Sequence, residues 1–319
     1  MLIIYSARQR RHLVDENCPE KPERIEFLDG LVEQEVHSLI AGTQEVKLDL
    51  APNGERFLTL FHTQRYIDSI RDFCSSLKPE EARKRTAEES DNWYARYSYL
   101  AACHAVGAAV KAAKLARQGQ NSFAAVRPPG HHAQADQDGG FCIFNNMAIA
   151  TEYLRRSQKR KNQRRATPER IIILDLDLHL GDGTLDYAQD RERVFYFSIN
   201  HENLWPYQHP EDSENTEHIF LPEGTEDDRY INILEERLIP AIRRFKPTII
   251  AVSMGFDTHH LDHEEFGGVL KGGFDLTQRS YATLREILYE TALPHFYVLE
   301  GGYNPKSVEE GMLSICQWT

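Results

Sequence analysis

The chain has 319 residues, 41% hydrophobic and 10% aromatic, enough for a large core and too apolar for a disordered chain. With 37 Lys and Arg against 49 Asp and Glu, its net charge is −12. That balance disfavours nucleic acid as a partner and suits a cationic substrate, although ordinary solubility is the simpler account. No stretch approaches ~18 consecutive apolar residues, so no membrane span is expected. The opening MLIIYSARQRRH lacks the longer apolar region of a signal peptide, and the expectation is a soluble, cytoplasmic protein.

In chain order, Tyr97–Leu115 carries Ala at helical spacing and Ser122–Val126 reads as a strand. Asn145–Arg156 reads as a helix, followed by a stretch over 155–170 with eight basic residues and one acidic. Without interleaved aromatics, that stretch reads as the solvated end of a helix rather than a phosphate-binding patch. Arg170–Leu174, Val194–Ile199, Thr248–Ser253 and His295–Leu299 are short and nearly continuously apolar, as in parallel strands buried on both faces. Between them Tyr230–Phe245 and Thr277–Glu290 carry apolar residues at i, i+3 and i+4. Such alternation predicts right-handed βαβ units, a mostly parallel sheet and helices on both faces: a three-layer αβα architecture. Length alone suggests about two domains, but no Gly/Ser/Pro-rich linker divides the chain, so residues 1–319 read as one domain. The conformation of residues 200–225 and the oligomeric state, homo-oligomer included, stay open.

Cys18, Cys74, Cys103, Cys142 and Cys316 are scattered, odd in number and form no C-x-x-C pair. This argues against a disulfide framework and a Cys-rich zinc module, so any metal would be held by His and carboxylates. Ligands of open α/β sheets sit beyond the carboxyl ends of the strands. Four of the five expected strands are followed there by chemistry-bearing residues: RPPGHHAQADQDGGFCIFNN, DLDLHLGDGT, DTHHLDHEEFGG and EGGYN. In D-L-D-L-H, alternation puts Asp175, Asp177 and His179 on one side. With Asp257 from another strand end, three ligands and one open position suit a catalytic zinc, or iron. His131 and His132 follow a rigid bend and suit proton transfer beside the ion, with Asp175 and Asp182 as candidate carboxylates behind the rings. Tyr303, after two glycines, is placed to donate to an oxyanion.

These motifs together, in this order, resemble the zinc-dependent histone deacetylases and acetylpolyamine amidohydrolases. Weaker similarity begins at Cys18–Ile25, Phe61–Asp68 and Asp91–Ala102, and the resemblance spans residues 1 to about 305. It implies an arginase/deacetylase-like α/β fold with about eight parallel strands, and hydrolysis of an acetyl or short acyl group from a lysine side chain or a polyamine. It implies one Zn2+ per chain, or Fe2+, on Asp177, His179 and Asp257. His132 would be general base and acid, with His131 its electrostatic partner. Asp175 would orient His131, Asp182 would orient His132, and Tyr303 would polarise the carbonyl. Gly140 and Phe141 would line a channel, with Trp205 opposite. A structural K+ would rest on the side chains of Asp175 and Ser198 and the backbone oxygens of Asp177, His179 and Ile199.

The chain departs from the family pattern at Leu180 and Asn200, where His is common, at Cys18, and after Trp205-Pro206, where a Gly-rich run is missing. The segment HEEF puts Glu264 and Glu265 at the expected mouth, an acidic gate that would favour a polyamine. Two other readings remain open: an arginase-like binuclear manganese ureohydrolase, and a non-catalytic acetyl-lysine-binding relative.

Overall fold

The computed structural model of the protein describes residues 1–28, 38–41, 44–85, 91–156, 168–263 and 271–316. The strands among these are β1 Leu2–Tyr5, β2 Ser38–Ala41, β3 Gln44–Leu50, β4 Ala82–Lys84, β5 Trp93–Ala95, β6 Ser122–Ala124, β7 Ile171–Asp175, β8 Val194–His201, β9 Thr216–Leu221, β10 Ile249–Met254 and β11 His295–Leu299. Nine of them form one sheet in the order β2-β3-β1-β6-β11-β10-β7-β8-β9. Eight run parallel; β2 alone pairs antiparallel, at the edge beside β3. The fold is thus the expected α/β class, with helices flanking a parallel sheet. β7, β10 and β11 are buried at every position. Runs such as IIILD and HFYVL tolerate that burial because β-branched and aromatic side chains fill both faces of a covered sheet.

The strands expected from sequence recur, His295–Leu299 unchanged and the others with an end shifted by one or two residues, as at β6, which stops at Ala124. Helix α1, Gln64–Ser76, is capped by Thr63, whose hydroxyl accepts from the Tyr66 N–H. Helix α2, Ser98–Ala116, is buried on almost every side. Its alanines allow close approach, and Gly107 lies against the backbone of Pro52 and Gly54, where any Cβ would collide. Helix α3 is Asn146–Arg156, and α4, Asp182–Gln189, begins directly after the DLDLH segment. The helix expected over 230–245 begins earlier, as α5 Asp227–Ile233, then passes through a π turn over Leu234–Leu238 into α6 Ile239–Phe245. Helix α7, Gln278–Glu290, is capped by Thr277, and α8 is Pro305–Cys316. β1 to β5, β9, α1, α4 and α8 were not among the elements expected from sequence: charged and polar residues interrupt β3 and β9, and α4 and α8 are embedded in loop-like, Gly-containing motifs. Part of the open stretch 200–225 becomes β9, registered on β8 with Ser198 opposite His218.

The strand order is what builds the site. β6, β11, β10, β7 and β8 are consecutive neighbours, so segments starting at residues 125, 300, 255, 176 and 202 emerge side by side at one end of the sheet. Most of the basic stretch 155–170 lies outside the described residues.

Candidate metal centre and active site

Beyond β7 and β10, ligand atoms of Asp177, His179 and Asp257 all lie within 4.8 Å of one another. His179 Nδ1 is 3.3 Å from Asp177 Oδ1 and 3.1 Å from Asp257 Oδ2. Backbone donors fix the carboxylates: the His179 N–H donates to Asp177 Oδ1 at 2.9 Å, the Gly301 N–H to Asp177 Oδ2 at 2.7 Å and the Leu178 N–H to Asp257 Oδ1 at 3.1 Å. Gly255 and Gly301 press against both carboxylates, and a Cβ on either would overlap them. Both aspartates are fully buried. Burial and the adjacent Asp177 push Asp257 up to about 7. Burial opposes charge on His179, yet Asp177 and Asp257 lift it to about 9. Two facing, desolvated carboxylates with an imidazole between them call for positive charge. That chemistry and spacing fit a borderline divalent cation.

The histidine pair sits beside this cluster, rings 3.9 Å apart and tilted by 47°. His131 Nδ1 is 3.3 Å from Asp175 Oδ2, and its Nε2 is 3.8 Å from Asp177 Oδ1. Burial works against its charge, but Asp177 and Asp175 together raise its pKa well above the ordinary value. His132 Nδ1 is 2.8 Å from Asp182 Oδ1. Burial and the neighbouring His131 lower it to about 4, against the pull of Asp182. The two rings are therefore electrostatically unlike, although adjacent in sequence.

The rings of Phe141 and Tyr303 meet edge to face at 5.6 Å, and those of His132 and Trp205 at 4.5 Å. Gly140 lies between His132 and Trp205. Gly140 and Trp205 thus stand against His132, and Phe141 against Tyr303, whereas Glu264 and Glu265 lie outside the described residues. Trp205 is 38% exposed and so belongs to a rim rather than a core.

Three partners of this site were not assigned from sequence. Glu300, fully buried, accepts from the N–H groups of Gly130 (2.7 Å) and His131 (3.1 Å) and from the Ser253 hydroxyl (3.1 Å). Asp262, also buried, takes the Tyr303 N–H at 2.9 and 3.0 Å and the Asn304 N–H at 3.2 Å. Arg24 donates from Nε to the Gly302 carbonyl and from Nη2 to the Glu300 carbonyl. Arg24 falls in the CPEKPERI segment and Glu300 in EGGY, so each sat in a noticed motif, but no spacing rule links residues 24 and 300. A second grouping of donor types, His131, Cys142 and Glu300, is already satisfied internally. Glu300 is engaged as above, and Cys142 Sγ donates to the Gly140 carbonyl and accepts from the His132 N–H.

The expected K+ donors are also in contact with protein groups. Asn200 Nδ2 donates to the carbonyls of Asp177 (3.0 Å) and His179 (3.1 Å). Ser198 Oγ lies 3.1 Å from His218 Nδ1. The Tyr196 hydroxyl donates to Asp175 Oδ2 at 2.8 Å. Ile199 sits in the β8–β9 ladder.

The histone deacetylase domain family matches residues 18–318 of this chain. Histone deacetylase 18 of Arabidopsis thaliana is 31% identical over 338 residues, covering 99% of this chain and 46% of that protein. A probable deacetylase of Archaeoglobus fulgidus is 30% identical over 317 residues, covering 95% of this chain and 81% of that protein. The chain thus spans less than half of the former relative. The crystal structure of the HDA15 HD domain superposes with a TM-score of 0.81 at 26% identity, covering 99% and 89% of the two chains. An acetylpolyamine aminohydrolase from Burkholderia pseudomallei shares the fold at a TM-score of 0.76 and 22% identity, covering 99% and 97%.

Proposed function

The chain belongs to the histone deacetylase family, and from that premise we propose that it is a metal-dependent amidohydrolase removing an acetyl or short acyl group from an amine. The observation that carries this reading is the meeting of Asp177, His179 and Asp257 within 4.8 Å beside two His–Asp pairs and a tyrosine. A single divalent ion on those three ligands, zinc or iron(II), supplies Lewis acidity toward water and the amide carbonyl.

The other steps belong to the chain's own groups. His132, tied at Nδ1 to Asp182, keeps Nε2 free to take a proton from water and return it to the leaving nitrogen. A depressed pKa keeps that ring neutral and receptive before reaction. His131, held toward its charged form by Asp177 and Asp175, offsets the negative charge that develops. Tyr303, whose phenol is pushed well above its ordinary pKa by burial and then by Asp257 and Asp177, retains its proton to donate to the oxyanion. Gly140, Phe141 and Trp205 form the walls of a slim approach suited to an acylated alkylamine.

Glu264 and Glu265 are proposed as an acidic gate that tilts preference from acetyl-lysine peptides to cationic acetylpolyamines. The net charge of −12 supports that choice. Residues 1–319 are proposed to act as one catalytic domain. Its five free, buried cysteines support a reducing, cytoplasmic setting. Two further carboxylates of these motifs, Asp175 and Asp182, are engaged by histidines. This favours one ion over an arginase-like pair.

Hydrolysis of acetylspermidine and of an acetyl-lysine peptide, with metal content per chain, tests the reading. One zinc or iron per chain and activity abolished by His132→Ala support it. Two manganese ions per chain, or activity unchanged in His132→Ala, overturn it. Unchanged selectivity in Glu264→Gln and Glu265→Gln removes the gate.

A further inference from the structure

We propose that the Asn200 carboxamide replaces the alkali cation that the family resemblance places behind the metal centre, so that this chain holds its ligand segment without potassium. Asp177 and His179 supply the divalent centre with side chains, while their backbone carbonyls point the other way, toward β8. There they converge on one nitrogen: Asn200 Nδ2, 3.0 Å from the Asp177 carbonyl and 3.1 Å from the His179 carbonyl. A cation bridging two carbonyls would perform the same task. Ser198 and Asn200 are two apart on a strand and so share a face, which brings the amide to the place where Ser198 would join a cation's shell. Ser198 Oγ is itself 3.1 Å from His218 Nδ1, and the His218 N–H donates to Asp212 Oδ1 at 2.7 Å. Asp175 Oδ2 accepts from the Tyr196 hydroxyl and lies 3.3 Å from His131 Nδ1, while its Oδ1 takes the Asp177 N–H at 3.4 Å. The donor set that potassium would need is thus closed by protein hydrogen bonds, and it does not fit the ion.

The orientation of the amide decides the matter. Asn200 is fully buried, and its Oδ1 has no hydrogen-bond partner among the described residues. Rotated by half a turn, Oδ1 would face the two carbonyls, three oxygens without a proton among them. Only a cation would relieve that repulsion, and Nδ2 would then be the orphan. An unmatched buried acceptor is tolerated more readily than unmatched buried donors, so the donor orientation is the stable one when no cation intervenes.

The test compares thermal unfolding in KCl and in tetramethylammonium chloride at equal ionic strength. It needs no catalytic readout, so it stands or falls apart from the proposed activity. The wild-type melting temperature is expected to be the same in both salts. Asn200→Asp sets a carboxylate against the same carbonyls, and its melting temperature is expected to rise saturably with potassium. If that variant does not fold, Asn200→Ala, which frees both carbonyls, is expected to show the same gain. A saturable potassium-dependent rise in the wild type overturns the proposal. So does a folded Asn200 variant that remains indifferent to potassium.

Discussion

Gly140 shows how much of the site depends on a side chain that is missing. Its φ is +50°, in the left-handed region, and an added Cβ would overlap the His132 ring and crowd Trp205. Gly140→Ala therefore strains the loop and displaces His132, the proposed base. A fall of about 10²-fold in kcat/KM on an acetylated amine is expected, with little change in the melting temperature because the loop lies at the rim. Steady-state kinetics beside a thermal melt would check this. At this scale the sequence was informative about identities: the His131–Asp175 and His132–Asp182 pairs were proposed from motif position, and the structure brings each pair within 3.3 Å. It was silent on contrast. Whether two adjacent imidazoles are raised or lowered depends on Asp177 and Asp175 arriving beside His131 from another strand end, and on burial and the neighbouring His131 acting on His132 against the pull of Asp182.

At the scale of the element, the turn following β11 joins the loops to one another. Glu300 holds the backbone of the histidine loop, Gly301 holds Asp177, and Tyr303 is held by Asp262. Arg24 grips the same turn from behind through the carbonyls of Glu300 and Gly302. It also pairs with Glu20 at 2.8 Å, and Glu20 pairs with Arg127 at 2.9 Å, all three fully buried. Replacing Arg24 by Met removes one partner of a buried ion network, for which a loss of about 3–5 kcal/mol is typical. It also releases the carbonyls that set the Tyr303 backbone. The expected outcome is a lower urea midpoint together with a reduced kcat at nearly unchanged KM, because the role proposed for the phenol is at the transition state rather than in binding. Equal kcat in variant and wild type would show that the turn keeps its place without the arginine. None of this network follows from periodicity, since hydrophobic pattern predicts where a strand runs and not which distant guanidinium meets its end.

For the whole molecule, acid sensitivity is written into buried imidazoles. His62 accepts the Asn145 N–H on Nε2 at 2.8 Å, which requires that nitrogen to be bare. Burial lowers its pKa to about 4. The unfolded chain takes up the proton near the ordinary 6.5, whereas the folded one resists until about pH 4. Its contribution to stability is complete above 6.5 and is lost as pH falls through that window. The difference corresponds to about 3 kcal/mol. Urea midpoints at pH 7 and pH 4.5 should differ accordingly, and His62→Gln should flatten the dependence.

The sequence by itself determined the parallel α/β class, the strands whose ends meet at the candidate site, and the residue types of the candidate metal cluster, because these follow from local periodicity and from what comes after the strands. The tertiary structure decided which of those strand ends are neighbours, and hence that Glu300, Asp262 and Arg24 brace the turn bearing Tyr303 and that Asn200 faces the back of the ligand segment. Those contacts join residues from 21 to 278 positions apart. At such separations partners are selected by sheet order and by the cost of leaving a buried polar atom unpaired, and neither quantity is carried by a local pattern.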